Sequence, residues 1–137
     1  MVAYLKPEII GLVDKCSMIK TWIQMMVPKI EDGNNFGVGI QEDVLGEVGK
    51  SEADAGSYLE QLSRYYTSRA KILSKCAKYP FLDDYQRAVD EYDQKVFVSF
   101  KLILRELRNI YIVVYDVILK NYDKIVHPRS ENSASLY

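Results

Sequence analysis

Apolar residues recur at steps of three and four positions along three long stretches of the chain, which is the spacing of one face of an α-helix. This pattern predicts helices over about residues 7–28, 38–78 and 84–126. The connections between them, residues 29–37 and 79–83, are short. Because short connections place successive helices side by side in opposite directions, the sequence predicts an all-α fold built as a long antiparallel helical bundle.

The apolar positions of each helix form a seam that predicts its buried side. The seams consist of Ile9, Leu12, Cys16, Ile19, Ile23, Met26 and Ile30 in the first helix, Leu45, Val48, Ala55, Leu59, Leu62, Tyr66, Leu73 and Cys76 in the second, and Val89, Tyr92, Val96, Ile103, Leu107, Ile110, Val114, Val117 and Ile125 in the third. Proline supplies the expected ends. Pro7 suits a first helical turn, whereas Pro28 and Pro80 remove a backbone donor and end a helix.

The helices carry more apolar surface than three of them can bury. Large side chains lie off the seams, namely Phe97, Tyr111 and Tyr115 on the third helix and Trp22 and Met25 on the first. Burying such a side chain is worth about 1.5–3 kcal/mol, and several left exposed would form an aggregation-prone patch. We therefore expect a fourth helix or neighbouring subunits to cover them, and the sequence predicts a self-assembling helical protein.

Length and charge narrow the classes of function. The 137 residues fit one domain. Since 18 Lys and Arg face 19 Asp and Glu, the charge balance suggests neither a nucleic-acid nor a membrane partner. The sequence shows no secretory signal and no apolar run long enough to span a membrane. Cys16 and Cys76 lack the CxxC spacing and are expected to be reduced thiols, so the sequence predicts a soluble intracellular protein.

Motifs that carry catalysis or hold metals are absent from the sequence. It has a single histidine, His127, at the expected end of the last helix, and no HExxH, P-loop, GxGxxG or GxSxG pattern. The stretch "EDGNN" lacks the acidic spacing and the final glutamate of a calcium loop. The sequence therefore predicts a protein that is not an enzyme and that uses no cofactor and no metal.

A basic stripe runs along the second helix and includes Arg64, Lys71 and Lys75. The ordinary interpretation is a solvated helix face. If the helices surround a central channel in an assembly, the same stripe would line its wall.

Two segments outside the helices stand apart by composition. The stretch "KIEDGNNFGVGIQ", residues 29–41, gathers residues that favour turns or left-handed backbone geometry: Asp32, Gly33, Asn34, Asn35 and Gly37. At the other end of the chain, the polar stretch "RSENSASLY" closes on an apolar pair of residues. Such an end can dock into a pocket as a tethered peptide.

These segments resemble known sequences. "KIEDGNNFGVGIQ" resembles the activation loop of the 11S proteasome activators, also called the REG family. "SRYYTSRAKILSKCAKYP", "LRELRNIYIVVYDVILKNYDKI" and "HPRSENSASLY" resemble the gamma type of that family. The resemblance runs without obvious gaps from about Leu5 to Tyr137, so it covers nearly the whole chain.

The resemblance implies a function. Family subunits are four-helix bundles that form heptameric rings with a central channel, cap the 20S proteasome core and open its gate without ATP or ubiquitin. The resemblance also implies an activation loop that presses on the α-subunit ring of the core, with Asn34 as its most sensitive position. It further implies a C-terminal tail that binds between α subunits. The implied activation loop, residues 29–39, includes Glu31, Asp32, Gly33, Asn34, Asn35, Phe36, Gly37, Val38 and Gly39, and the implied tail, residues 128–137, includes Pro128, Ser135, Leu136 and Tyr137.

Three further expectations follow. In family subunits a first helix and a variable linker precede the part matched here, which would account for apolar surface suited to four helices. The gamma type implies nuclear localisation, with a cytoplasmic pool as a further option. The competing hypothesis, from the helix pattern alone, is a helical-bundle scaffold or adaptor that binds partner helices.

Overall fold

The computed structural model describes residues 1–129, and in that range it contains three α-helices and no strand. Helix α1 spans Val2–Met26, α2 spans Phe36–Lys78 and α3 spans Asp83–Val126. The predicted all-α fold of long helices is confirmed. Helices α1 and α2 run antiparallel, since Gln41 near the start of α2 contacts the end of α1 while Val2 and Tyr66 line one groove at the other end.

Two helix boundaries differ from the sequence prediction in an informative way. Helix α1 begins at Val2, so Pro7 lies inside the helix and not in its first turn. Burial of Leu5, which is fully enclosed by the core, outweighs the backbone hydrogen bond that Pro7 removes. Helix α1 also ends at Met26, ahead of Pro28.

The loop between α1 and α2 lies two residues earlier in the chain than the predicted connection, residues 29–37. Helix α2 begins at Phe36, so the last four residues of the predicted loop 29–39 belong to its first turn. Asn35 precedes the helix as its N-cap, and the backbone N–H of Gly39 donates to the Asn35 carbonyl at 3.0 Å. The connection between α1 and α2 is therefore residues 27–35, and α3 begins one residue earlier than predicted.

The core lies along the common contact line of the three helices. The buried apolar residues are Leu5, Ile9, Leu12, Cys16 and Ile23 of α1, Val44, Val48, Ala55 and Leu62 of α2, and Val89, Phe100, Ile103, Leu107, Ile110, Val114 and Ile125 of α3. Three predicted seam residues are exposed instead: Ile30, Tyr66 and Leu73. Ile30 lies beyond the end of α1. Tyr66 lies near the level at which α1 begins, and Leu73 lies beyond that level.

The bundle has two parts because α1 is much shorter than its partners. Helices α2 and α3 continue past the start of α1 as a two-helix hairpin that ends in the turn at residues 79–82. A polar cluster crosses this hairpin, where Arg69 Nε donates to both carboxylate oxygens of Asp93 at 3.0 Å and the Tyr65 hydroxyl donates to Asp93 Oδ1 at 3.1 Å. We call the part that contains α1 the three-helix part, and we call the portions of α2 and α3 beyond the start of α1 the distal hairpin.

The apolar side chains off the seams divide into two groups. Met25, Phe97 and Tyr115 are exposed, as expected of residues that a fourth helix or a neighbouring subunit would cover. Trp22 and Tyr111 instead pack against the core, and Trp22 stacks on Tyr122 with ring centroids 6.2 Å apart. None of the helices in residues 1–129 has the length and apolar character needed to cross a membrane.

Candidate functional site

The connection between α1 and α2 holds an unusual backbone. Gly33 has a φ of 78° and Asn34 a φ of 45°, which places two consecutive residues in the left-handed region. Glycine enters this region freely, and asparagine tolerates it better than most residues. Asn34 is the one non-glycine residue with positive φ in the described part of the chain. The loop predicted from its Gly and Asn content therefore has a specific shape that most side chains would strain.

Three polar side chains surround this left-handed pair. The Asn35 side-chain amide donates to the Glu31 carbonyl at 3.3 Å, which closes the segment on itself. From the C-terminal side, Arg129 Nη2 donates to Asn35 Oδ1 at 3.3 Å, and its Nη1 lies 3.3 Å from Glu31 Oε2. The Arg129 side chain is only 19% exposed, whereas that of Glu31 is 67% exposed. Arg129 thus contacts both ends of the segment that bends.

The start of α2 packs directly on the C-terminal segment. A Cβ atom added to Gly37 would overlap the carbonyl oxygen and Cα of Pro128. Glycine at this position lets the two backbones touch, which is one of its regular uses. Pro128, predicted as the start of the tail, is therefore part of the base of the loop.

A buried glutamine ties the ends of all three helices together. Gln41 is fully buried in α2, and its Nε2 donates to the carbonyls of Met26 at 3.0 Å and Ile125 at 2.8 Å. These carbonyls belong to the last turns of α1 and α3, where helix carbonyls lack partners within the helix. The loop base is thus fixed to the bundle by hydrogen bonds as well as by apolar contacts.

The sequence does not predict the role of Gln41, and it places Arg129 in the tail without predicting its contacts with the loop. A signal for Gln41 existed, because it continues the buried spacing of Val44, Val48, Ser51 and Ala55 by steps of three and four residues. The role of Arg129 had no local signal, since its partner Asn35 lies 94 positions away in the sequence.

Apolar side chains lie exposed beside the braced segment. Ile30 is fully exposed and Phe36 is 74% exposed. Both flank the left-handed pair, so the end of the bundle presents a loop with two apolar side chains at its edges. A surface of this kind can bind a partner protein through apolar contacts at a fixed geometry.

The other predicted site residues fall into three places. Asp32 is exposed in the loop, while Val38 and Gly39 are half-buried in the first turns of α2. Ser135, Leu136 and Tyr137 of the predicted tail lie outside the described residues. The structure therefore brings the predicted loop together with the base of the predicted tail.

The basic stripe lies away from the loop. Arg64 pairs with Glu60 on the same helix, and Lys71 and Lys75 line a shallow concave surface on α2. At 1.5 Å per residue, Lys71 lies roughly 50 Å along the helix from its start. The stripe and the loop are thus separate surfaces.

The side chains whose pKa values are shifted also lie away from the loop. Burial raises the pKa of the Cys16 thiol, with a further contribution from the nearby Glu52 carboxylate. Burial and the hydrogen bond to Asp93 raise the pKa of Tyr65, and the same carboxylate raises the pKa of the Arg69 guanidinium. Among residues 1–129, no group of three or more His, Cys, Asp or Glu side chains is placed to hold a metal ion.

Comparison with known proteins identifies relatives over the whole chain. Proteasome activator complex subunit 3 from Homo sapiens, Mus musculus and Gallus gallus is in each case 52% identical over 137 residues, which is 100% of this chain and 54% of the relative. The chain therefore spans about half the length of these curated relatives.

A solved structure shows the same fold. The crystal structure of the 11S subunit of the Plasmodium falciparum proteasome, PA28, matches with a TM-score of 0.87 and 43% sequence identity, covering 94% of this chain and 58% of that one. The sequence profile described as "Proteasome activator PA28, C-terminal" matches residues 1–135. The resemblance recognised in the sequence is confirmed, and the chain belongs to the PA28 family of proteasome activators, whose C-terminal region it matches.

Proposed function

We propose that the chain acts as a non-enzymatic activator that caps the 20S proteasome core, docks through its C-terminal tails and opens the gate with its activation loop. The process requires neither ATP nor ubiquitin, because the energy for opening comes from binding. The relatives at 52% identity are named as proteasome activator subunits, and this supports the assignment.

One observation carries the proposal: the predicted loop and the base of the predicted tail meet at one end of the bundle. Arg129 binds Asn35 and Glu31 although the two helices α2 and α3 separate them in the sequence, and Pro128 touches Gly37. Two segments that lie far apart in the sequence can therefore contact one partner surface at the same time. A protein that must hold on with one segment and push with another requires this arrangement.

The loop is suited to the second of these tasks. A stiff loop transmits the force of docking, whereas a flexible loop would bend away. The braced segment from Glu31 to Asn35, with Asn34 at its left-handed bend, would contact the α-subunit ring of the core. The rest of the predicted activation loop, Phe36 to Gly39, would act as its rigid base, because these residues are helical.

The tail performs the first task, which is binding to the core particle. Assembly into a ring strengthens this binding because several tails act together. One short tail ending in Ser135, Leu136 and Tyr137 binds weakly, but the tails of a homoheptamer engage pockets between α subunits at high effective concentration. The exposed apolar residues of α1 and α3 would be covered by neighbouring subunits. In such a ring Arg64, Lys71 and Lys75 would line the central channel, and the gamma-type resemblance favours the nucleus, with the cytoplasm as a second compartment.

A scaffold that binds partner helices is the second candidate. The exposed apolar residues of α3, among them Leu102, Ile112 and Leu119, favour it because they could receive a helix from another protein. Native mass spectrometry separates the candidates, since a scaffold needs no heptamer.

The direct test adds the chain to latent 20S core particles and follows cleavage of short fluorogenic peptides after basic, acidic and hydrophobic residues. We expect faster cleavage with the full chain. A variant that lacks Leu136 and Tyr137 should lose both binding and stimulation, whereas Arg87→Ala, an exposed change in the distal hairpin, should retain both. Full stimulation by the shortened chain would contradict docking through the tail.

A further inference from the structure

Arg129 occupies a position that neither the loop nor the tail assignment explains. It follows Pro128 after the end of α3, and its side chain turns back toward the loop. Most arginine side chains that reach a surface carboxylate stay well exposed, but this one is largely covered. Its placement therefore has a cause within the folded chain.

The contacts of Arg129 form a closed ring around the left-handed bend. Its two terminal nitrogens reach the Glu31 carboxylate and the Asn35 side-chain oxygen, and the Asn35 amide returns to the Glu31 carbonyl. The planar guanidinium offers several donors in a fixed geometry, so it can hold two acceptors at a set separation. The segment held in this way contains Gly33 and Asn34, whose backbone would otherwise relax readily.

Lysine could not replace Arg129 fully. An ammonium group is a point charge on a flexible stem and lacks the planar fork. It could pair with Glu31, but it would not hold Asn35 in the same plane. The identity of the residue therefore matters in addition to its charge.

We propose that Arg129 is a positioning residue that locks residues 31–35 into the shape needed for gate opening. It acts through Glu31 and Asn35 and does not itself need to touch the core particle. Because Arg129 also forms the base of the tail, one residue links the segment that docks to the segment that opens the gate. The part of the proposal that concerns the gate rests on the proposed function above.

The lock has a consequence that is measurable in the free chain. A protease that cuts after glutamate needs the segment around Glu31 to open locally. We expect Arg129→Ala to raise the rate of cleavage between Glu31 and Asp32 by about threefold to thirtyfold, because it removes one partly exposed ion pair and one hydrogen bond. Cleavage after Glu47, within α2, should keep its rate and serves as the internal standard.

The same variants are then added to latent 20S core particles. Arg129→Ala should lower the maximal stimulation by about threefold to tenfold, measured at saturating concentrations of the variant so that any change in docking through the tail does not contribute. Arg129→Lys should fall between alanine and the natural residue in both assays. Arg87→Ala removes an arginine of the distal hairpin whose ion pair with Asp84 is highly exposed, and it should change neither measurement.

The outcomes separate the two proposals. If Arg129→Ala is cleaved after Glu31 at the natural rate, the lock is wrong, whatever the core particle does. If cleavage rises but the natural chain gives no stimulation, the lock stands and the proposed function fails. If cleavage rises and stimulation by the natural chain is strong, but the alanine variant stimulates equally well, the shape held by Arg129 is not the shape that opens the gate, and the proposal is overturned.

Discussion

The chain reverses direction twice, and the two reversals are built differently. The turn at residues 79–82 is held by local backbone hydrogen bonds, Leu82 to Tyr79 at 3.1 Å and Tyr85 to Leu82 at 3.2 Å, with Phe81 almost fully exposed. The loop at residues 27–35 is held by side chains from the loop, from α2 and from the C-terminal segment. Both reversals contain a proline, so proline alone does not distinguish a connector from a functional loop.

The difference shows what long-range contacts add. Local contacts suffice to join two helices, and the distal turn adds to its backbone hydrogen bonds only contacts between residues close in the sequence, such as the stacking of Tyr79 on Tyr85 with ring centroids 5.9 Å apart. The loop end also joins helices, yet it places Gln41 against two helix ends and Arg129 across the bend. We interpret these extra hydrogen bonds as the means by which the loop keeps one shape when it presses on a partner protein. The predictions below test that contrast in order of expected effect.

The largest effect should follow from Gln41→Ala. The variant removes hydrogen bonds to the part-buried carbonyl of Met26 and the buried carbonyl of Ile125 and leaves both without a side-chain partner. We expect the free energy of unfolding to fall by about 2–4 kcal/mol, measured by urea denaturation followed by circular dichroism. Gln61→Ala, an exposed change on the same helix, should stay within about 0.5 kcal/mol. Equal effects in the two variants would remove the distinction between the loop end and the rest of α2.

A smaller effect of defined sign should come from two glycines in one helical turn. Gly37→Ala forces the start of α2 away from Pro128 and should destabilise the chain by about 1–3 kcal/mol. Gly39→Ala meets no neighbouring atom and should be neutral or stabilise by up to about 1 kcal/mol. Thermal unfolding of both variants checks the prediction. A gain in stability for Gly37→Ala would show that the C-terminal segment does not rest on α2.

The smallest effect on stability should come from the cysteines, which report on the two parts of the bundle. Burial in the three-helix part raises the pKa of Cys16, so little reactive thiolate is present at pH 8, whereas Cys76 of the distal hairpin is half-buried. We expect a thiol reagent to modify Cys76 about tenfold faster or more, with mass spectrometry identifying the site. Modification of Cys76 should change stability by less than about 0.5 kcal/mol. Faster modification of Cys16 would mean that the three-helix part opens more readily than the hairpin.

The Cys16 pKa also predicts the direction of a pH effect. The folded chain favours the neutral thiol, so its contribution to stability is complete below the usual thiol pKa of 9.0 and is lost as the pH rises through the raised value. The Cys16→Ala variant lacks the thiol, so the part of the alkaline decrease in the free energy of unfolding that comes from Cys16 should be absent.

The sequence predicts the helices well because their seams are long and regular. Leu12, Ile103 and Leu107 could be assigned to the core from spacing alone, and all three are buried. A helix boundary that a single residue marks is harder to predict. Pro7 suggested a helix start, but the burial of Leu5 carries α1 back to Val2.

The candidate site was predictable in part. The Gly and Asn content of residues 29–41 indicated an unusual backbone, and the structure places positive φ at Gly33 and Asn34. The bracing by Arg129 depends on a contact between distant parts of the chain, which no local pattern reports. The roles of the loop and of the tail rest on the family resemblance, because periodicity describes packing and not partners.

The central claim is that holding on and opening the gate belong to different segments that meet at one end of the bundle. Asn34→Tyr tests it most directly, because it places a large side chain at a left-handed position in the loop and leaves the tail unchanged. Binding to immobilised 20S core particles and stimulation of peptide cleavage are measured on the same preparation. The account predicts binding within about twofold of the natural chain together with loss of stimulation. Equal loss of binding and stimulation, or full stimulation, would contradict it.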